Sequence, residues 1–116
     1  MDVFEKQDFF MSQMLNAYKS GVIHNPVYET YFNWKSGKIH FEDLTKEEVI
    51  KMRDAAEEEL NPYYDKYEGA SLPFGSENVD DIWHSYRIYK EDAYIVSYLE
   101  AIDAELTNLL YSQVLQ

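Results

Sequence analysis

The strongest constraint on the fold is a row of aliphatic residues at helical spacing in the last third of the chain. Successive members are three, four or seven positions apart: Ile88, Ile95, Leu99, Ile102, Leu106 and Leu109. A helix with one continuous apolar face must bury that face against other elements. The row therefore predicts a long helical region that is capped by Ser76 or Asn78, runs to about Val114 and supplies much of the core. The segment Lys90-Glu91-Asp92 marks a place where this helix can kink.

Helix start and stop signals divide the rest of the chain. Asp2 is placed to cap a first helix over Val3–Lys19, and Gly21 is placed to end it. Thr45 and Glu48 form a capping box, in which the Thr45 hydroxyl accepts from the Glu48 amide and the Glu48 carboxylate accepts from the Thr45 amide. We expect this box to open a helix over about residues 46–60.

Two Asn-Pro pairs indicate further helix starts, because Asn caps free amides and Pro at the first helical position loses no hydrogen bond. The pair at Asn25 predicts a short helix over residues 26–34, and the pair at Asn61 predicts a separate short helix through Tyr67, ended by Gly69. Residues 27–34 have an alternative interpretation. They are rich in β-forming side chains, and a turn at 35–38 would make them a β-hairpin with residues 39–41.

Composition favours a packed domain. The chain has 116 residues, of which 46% are apolar and 16% aromatic, so it can bury a core despite its charge. With the helix signals above, we expect an all-α fold: a compact bundle of about five helices in one acidic domain over residues 1–116.

The same composition excludes several classes of protein. There is no cysteine, so disulfides and Cys-ligated metals are ruled out. No apolar run approaches the roughly 18 residues of a membrane span. The first twenty residues carry acids at Asp2, Glu5 and Asp8 where a signal peptide would be basic and then apolar. The prediction is a soluble, cytoplasmic protein without membrane association.

The charge balance points to the kind of partner. The formal net charge is −12, from 22 acidic and 10 basic residues, which argues against direct binding to nucleic acid. No Lys or Arg follows Lys90, and the last 26 residues carry a net charge of −5. This segregation is either a solubility device or a surface for a basic partner.

Eleven tyrosines are more than so small a core can bury with every hydroxyl satisfied, so some must reach the surface beside the acids. Tyrosine beside carboxylate suits the binding of Arg and Lys through stacking and charge-assisted hydrogen bonds. The predicted partner-binding surface comprises two acidic and aromatic segments: Tyr63, Tyr64, Asp65, Tyr67, Glu68, Glu91, Asp92, Tyr94, Tyr98, Glu100 and Asp103. Leu99 and Ile102 are expected in the core instead.

Two acidic clusters contain residue types that bind metal ions. Asp80, Asp81 and His84 share one turn of a predicted helix, but charged residues at a helix start are the simpler interpretation. A second cluster resembles in part the acidic motifs with which all-α nucleotide pyrophosphohydrolases hold magnesium: Asp54, Glu57, Glu58, Glu100 and Asp103. Its first motif is Asp-x-x-Glu where that family has Glu-x-x-Glu, and no basic phosphate clamp accompanies it. No catalytic residue, metal site or cofactor is therefore predicted.

These patterns favour a non-enzymatic, acidic protein-binding module. The expected partner is a basic protein that binds or processes nucleic acid, which this chain would inhibit or regulate by occupying the basic surface. Small acidic inhibitors of phages and mobile elements, some of them DNA mimics, are similar in size and charge; a mimic should space its carboxylates like phosphates, about 7 Å apart. One alternative is an assembly adaptor, as in phage morphogenesis, which would expose an apolar patch on the C-terminal helix or form a homodimer through it. The other is a carboxylate-dependent metal hydrolase.

Overall fold

The predicted all-α class is confirmed by the computed structural model, which describes residues 2–67 and 89–112. These residues form four α-helices and three 3₁₀ turns, without a strand. The helices are α1 (Val3–Lys19), α2 (Glu29–Lys35), α3 (Lys46–Lys66) and α4 (Ala93–Ser112). The described residues contain four α-helices where about five were predicted for the whole chain, and the predicted Gly69 stop and Ser76 or Asn78 cap lie outside the described residues.

The predicted caps hold α1 and α3 in place. The Asp2 carboxylate accepts a hydrogen bond from the Glu5 amide at 2.8 Å, which satisfies one of the free amides at the start of α1. At α3, the Glu48 amide donates to the Thr45 hydroxyl at 3.2 Å and the Thr45 amide donates to the Glu48 carboxylate at 3.1 Å. This is the predicted capping box, made reciprocally.

The hairpin alternative for residues 27–41 is wrong. A 3₁₀ turn over Pro26–Tyr28, capped by Asn25, leads directly into α2. Gly37, with φ of 83°, ends α2 in the left-handed conformation, and the Lys38 amide donates to the Asn33 carbonyl at 2.8 Å. Helical geometry also buries Tyr31 and Phe32 together, so core packing outweighs their β propensity.

The predicted break at Asn61-Pro62 is also wrong, because α3 continues through Pro62 to Lys66. Proline inside a helix loses one backbone hydrogen bond and typically costs about 3 kcal/mol. Here the turns on both sides of Pro62 are held by packing: Leu60 is buried, and the rings of Tyr64 and Tyr67 contact the buried ring of Tyr89. Burial of these side chains keeps the helix continuous.

Helix α4 is the centre of the bundle. It begins after a 3₁₀ turn over Lys90–Asp92, at the predicted kink, where Lys90 has a φ of 56°. Every residue from Val96 to Ala104 is buried, including the predicted core residues Leu99 and Ile102. This stretch is thus buried on every side: α3 packs along it, and Phe10 of α1 and Tyr31 of α2 contact α4 at Tyr98 and Glu105. Within the described ranges, neither α4 nor any other helix is both long and apolar enough to span a membrane.

Candidate partner-binding surface

The outer face of α3 carries a row of exposed carboxylates. Its members are separated by seven, four and seven positions, and we call them the acidic ridge: Glu47, Asp54, Glu58 and Asp65. Because each residue turns an α-helix by about 100°, these spacings place all four side chains within about 40° of one another. With a rise of about 1.5 Å per residue, the ridge is roughly 27 Å long.

Few cations neutralise the ridge. The Arg53 guanidinium contacts the Asp54 carboxylate at 3.0 Å, and the exposed Lys51 stands on the same face of α3. Among the described residues, no Lys or Arg forms an ion pair with the other three ridge carboxylates. The ridge therefore presents net negative charge to solvent.

The spacing of the ridge does not reproduce a nucleic-acid strand. Its carboxylates are about 10, 6 and 10 Å apart along the helix axis, whereas the phosphates of one DNA strand recur regularly about every 3.4 Å along the duplex axis. Lys51 places a positive charge within the longer gap after Glu47. The DNA-mimic prediction is thus not supported by this surface, although its charge has the right sign.

A groove of about 490 Å³ lies beside the ridge, between the segment that follows α1 and helices α3 and α4. Its described lining is mostly apolar and includes Val22, Ile23, Ala55, Pro62, Ile95 and Leu99. Glu58 also lines the groove, so one carboxylate belongs to both the ridge and the groove. Glu59 and Tyr63 contribute the neighbouring polar atoms.

Glu59 ties the groove wall to the core. Its carboxylate accepts hydrogen bonds from the hydroxyl of the buried Tyr28 and from the Asn25 side-chain amide, the latter at 3.5 Å. Burial, together with this hydrogen bond and the nearby negative charge, raises the pKa of Tyr28 well above its usual range. The segment between α1 and α2 is thereby anchored to α3.

The predicted exposure of Glu100 and Asp103 is wrong. Their exposed fractions are 8% and 5%, because α4 is enclosed by the other helices. Tyr64 is hydrogen-bonded to Glu100, but the Oε1 atom of Glu100 is buried without a partner among the described residues. Burial, opposed by the Tyr64 hydrogen bond and reinforced by Asp103, raises the pKa of Glu100 to about 7.

Asp103 of α4 also contacts a side chain of α3, the carboxyl group of Glu57. Burial and the adjacent Glu57, with which it forms a hydrogen bond, raise its pKa, while Thr107 and Arg53 partly offset the rise. A hydrogen bond between two carboxyl groups requires a proton on one of them. Because both carboxyl groups are buried, neither Glu100 nor Asp103 can be assigned to a solvent-facing docking surface.

The tyrosines predicted for this surface have mixed positions. Tyr98 is buried, with its ring edge-on to Phe10 of α1 at a centroid distance of 5.5 Å. Tyr63, Tyr64 and Tyr67 are half-buried at the α3–α4 interface. Tyr94 alone among the five projects far into solvent, with an exposed fraction of 52%. Of the two predicted tyrosines on α4, one is therefore part of the core and the other is exposed.

The remaining predicted acids are dispersed. Asp65 and Glu91 are exposed, whereas Asp92 accepts hydrogen bonds from Lys66 at 2.8 Å and Tyr67 at 2.7 Å. These two partners hold the pKa of Asp92 below its usual range. Glu68 lies outside the described residues. Of the predicted site acids that the structure describes, only Asp65 therefore belongs to the acidic ridge.

The acidic ridge was not predicted, although the spacing that defines it is present in the sequence. The spacing of seven, four and seven positions defines one helical face only when α3 continues past Pro62, which the predicted break concealed. Once the helix is continuous, Asp65 aligns with Glu58 and the two acids before it.

The described acidic side chains do not converge as metal ligands. In residues 2–67 and 89–112, no three His, Cys, Asp or Glu side chains are arranged to hold a metal ion. Glu57 and Asp103 contact each other, but Asp54 and Glu58 point along the exposed ridge. The cluster of Asp80, Asp81 and His84 lies outside the described residues.

Comparisons of the chain with protein-family models, with curated proteins and with solved structures found no match. The acidic ridge, the adjoining groove and the buried carboxyl groups are thus the features from which a function can be argued.

Proposed function

We propose that this chain is a non-enzymatic module that binds a basic partner protein through the acidic ridge of α3. The observation that supports the proposal is the alignment of four exposed carboxylates on one helix face, three of them without a cation partner among the described residues. Asp54 and Glu58 are four positions apart on this face, and like charges at that spacing repel and slightly destabilise a helix. A partner with a complementary basic surface would compensate that repulsion.

The favoured partner class is a protein that binds or processes nucleic acid. Such proteins carry Lys and Arg patches that neutralise phosphates, and an acidic ridge about 27 Å long can cover a patch of that kind. The chain's net charge of −12 would also speed the encounter by long-range attraction. Occupation of the patch would exclude nucleic acid, so the expected effect on the partner is inhibition or regulation.

Affinity capture with matched charge variants tests the proposal. The ridge variant carries Glu47→Lys, Asp54→Lys, Glu58→Lys and Asp65→Lys, and the control carries Glu5→Lys, Asp8→Lys, Glu29→Lys and Glu42→Lys at other exposed positions. Each substitution adds two charge units, so both variants change from −12 to −4. Proteins from the source cells would be captured on each immobilised variant and quantified by mass spectrometry.

We expect a basic protein to be retained by the wild type and the control but lost from the ridge variant. Its binding should weaken steeply as salt rises, because screening acts over about 8 Å at physiological ionic strength. Equal retention by the ridge variant and the control would contradict the proposal and leave solubility as the role of the ridge.

The two alternatives have less support. An assembly adaptor would expose an apolar patch on the C-terminal helix, but the large exposed apolar residues in the described part of α4 are Tyr94 and Tyr111, near its opposite ends. A homodimer through that helix stays a prediction. A metal hydrolase would need converging carboxylates, and the described residues supply only the Glu57–Asp103 contact.

A further inference from the structure

We propose that the groove beside the acidic ridge receives an apolar side chain from a basic segment of the partner, while a flanking Lys or Arg of that segment pairs with Glu58. This inference rests on the proposed function and specifies what the partner must present. The occupant is thus a peptide segment that is both cationic and apolar, rather than a uniformly charged surface.

The lining of the groove favours an apolar occupant. Ala55, Ile95 and Pro62 keep part of their apolar surface exposed there, whereas Ile23 and Leu99 are almost fully buried. At about 490 Å³ the groove is within the range of ligand-binding clefts, about 300–1,000 Å³. Val22 at its edge has 54% of its surface exposed, so an inserted side chain would remove additional apolar area from water.

The charges at the groove favour a cationic flank. Glu58 and Glu59 line it, whereas no Lys or Arg is among its described lining residues. Burial and the carboxylates of Asp92 and Glu59, opposed by Lys66, raise the pKa of the Tyr63 hydroxyl at this edge. Glu59 is already hydrogen-bonded to Tyr28 and Asn25, which leaves Glu58 as the carboxylate available for a new ion pair.

The groove wall is held in shape before any partner arrives. At the end of α1, Gly21 has a φ of 87°, and the amides of Val22 and Ile23 both donate to the Ala17 carbonyl, at 2.9 and 3.1 Å. Asn25 then fixes the following turn by accepting from the Val27 amide at 3.0 Å. A preformed wall reduces the entropy lost on binding.

Three short synthetic peptides of equal length serve as probes: one of Lys and Leu, one of Lys and Ser with the same charge, and one of Glu and Leu. Their affinities for the full chain would be measured by titration calorimetry at physiological salt. We expect the Lys/Leu peptide to bind at least about tenfold more tightly than the Lys/Ser peptide, from burial of one leucine-sized side chain. The Glu/Leu peptide should bind most weakly.

Variants locate the binding. Ala55→Leu fills the groove and Val22→Ser removes apolar surface from its exposed edge, so each should abolish most of the Lys/Leu advantage. Phe4→Ser, at a side chain that is 77% exposed on α1, is the matched control and should change nothing. Glu58→Gln should weaken binding of the Lys/Leu peptide more than Glu47→Gln does, because Glu58 lines the groove and Glu47 does not. Thermal melts would establish whether each variant is folded, and Val22→Ser keeps the test valid if Ala55→Leu disturbs the core.

The inference is overturned when the Lys/Leu and Lys/Ser peptides bind equally, when neither binds, or when the groove variants leave the Lys/Leu advantage intact. Methyl NMR adds a direct criterion, because the signals of Ile23, Ile95 and Leu99 should shift when the peptide binds. Shifts confined to Met11 and Met14, which line a different pocket, would also overturn the inference. The proposed function fails separately, when captured proteins are indifferent to the ridge substitutions.

Discussion

The two longest described helices each carry several carboxylates at helical spacing, yet the fold places the two sets in opposite environments. On α3, Glu47, Asp54, Glu58 and Asp65 are exposed. On α4, Glu100 and Asp103 are buried, and Glu105 is half-buried between the Tyr31 hydroxyl at 2.8 Å and the Lys35 ammonium at 2.7 Å. The side chains are of the same type, so their surroundings alone decide what each set can do.

The burial of α4 gives a second explanation for the absence of Lys and Arg after Lys90. Their absence is typical of an acidic docking surface, but it is equally typical of a helix that is buried on all sides. The small residues Ser97, Ala101 and Ala104 on α4 belong to the second case, because they let neighbouring helices approach closely. Negative charge at Glu100 and Asp103 is therefore a cost to folding, whereas negative charge on the acidic ridge of α3 is exposed to solvent.

Charge reversal should separate the two helices most strongly. Glu100→Lys with Asp103→Lys should abolish cooperative folding, because each unpaired buried charge costs about 3–5 kcal/mol against a total stability of about 5–15 kcal/mol. Glu58→Lys with Asp65→Lys makes the same change in net charge on the ridge and should cost no more than about 1 kcal/mol in all. Circular dichroism with thermal melts measures both. A normal melt for the α4 pair would mean that its acids lie at the surface.

Truncation within α4 should distinguish its buried and exposed positions. Ile102→Ala should lower the free energy of unfolding by about 2–5 kcal/mol, since Ile102 has no exposed surface and its loss leaves a cavity. Tyr111→Ala, at a side chain that is 81% exposed on the same helix, should cost less than about 1 kcal/mol. Urea titrations compare the two. Equal costs would contradict the central position of α4.

The pH dependence of stability should identify the buried carboxyl. The pKa of Glu100 rises from 4.5 to about 7 in the folded state, so the folded protein binds the proton more tightly and the contribution to stability is lost as pH rises through that window. Relative to Glu100→Gln, the wild type should lose about 3 kcal/mol between pH 4 and pH 8. The shift of Asp103 acts in the same direction.

Urea titrations across this range provide the measurement, with Glu58→Gln as the ridge control. The control should follow the wild type at every pH, because Glu58 is exposed. If Glu100→Gln and the wild type also run in parallel, the Glu100 carboxyl is solvated in the folded state.

A smaller effect on stability should come from Glu105, the α4 acid that is bonded to both a hydroxyl and an ammonium group. Tyr31→Phe removes the hydroxyl that donates to Glu105 and should cost about 1 kcal/mol, while Lys35 continues to pair with that carboxylate. Tyr111→Phe is the matched control, because Tyr111 is exposed, and should be neutral. Urea titrations that show no loss for Tyr31→Phe would mean that Lys35 alone satisfies Glu105.

Local chemistry made the helix boundaries predictable. Asp2, Asn25 and the Thr45–Glu48 box each act on amides within three residues, so the sequence contains both donor and acceptor. The glycines at 21 and 37 end helices for the same local reason, since their positive φ values suit no other residue as well. These signals were sufficient for the all-α class and for most of the boundaries.

The candidate site was predictable only in part, because exposure is set by distant contacts. Whether Glu100 faces solvent depends on Tyr64, which is 36 positions away, and on the packing of α3 against α4. Whether Asp65 joins the ridge depends on the continuity of α3 through Pro62, which tertiary packing decides. Asp65 was correctly expected at the surface, while the other ridge acids were not assigned to it.

The central position of α4 also has a consequence for how the chain is made. Synthesis proceeds from the N-terminus, so α1, α2 and α3 leave the ribosome before the helix that they surround. Until α4 emerges, Phe10 lacks the Tyr98 ring against which it packs, and the Tyr31 hydroxyl lacks the Glu105 carboxylate to which it donates. We therefore expect a stage of synthesis in which the side chains of the first three helices that contact α4 are still uncovered.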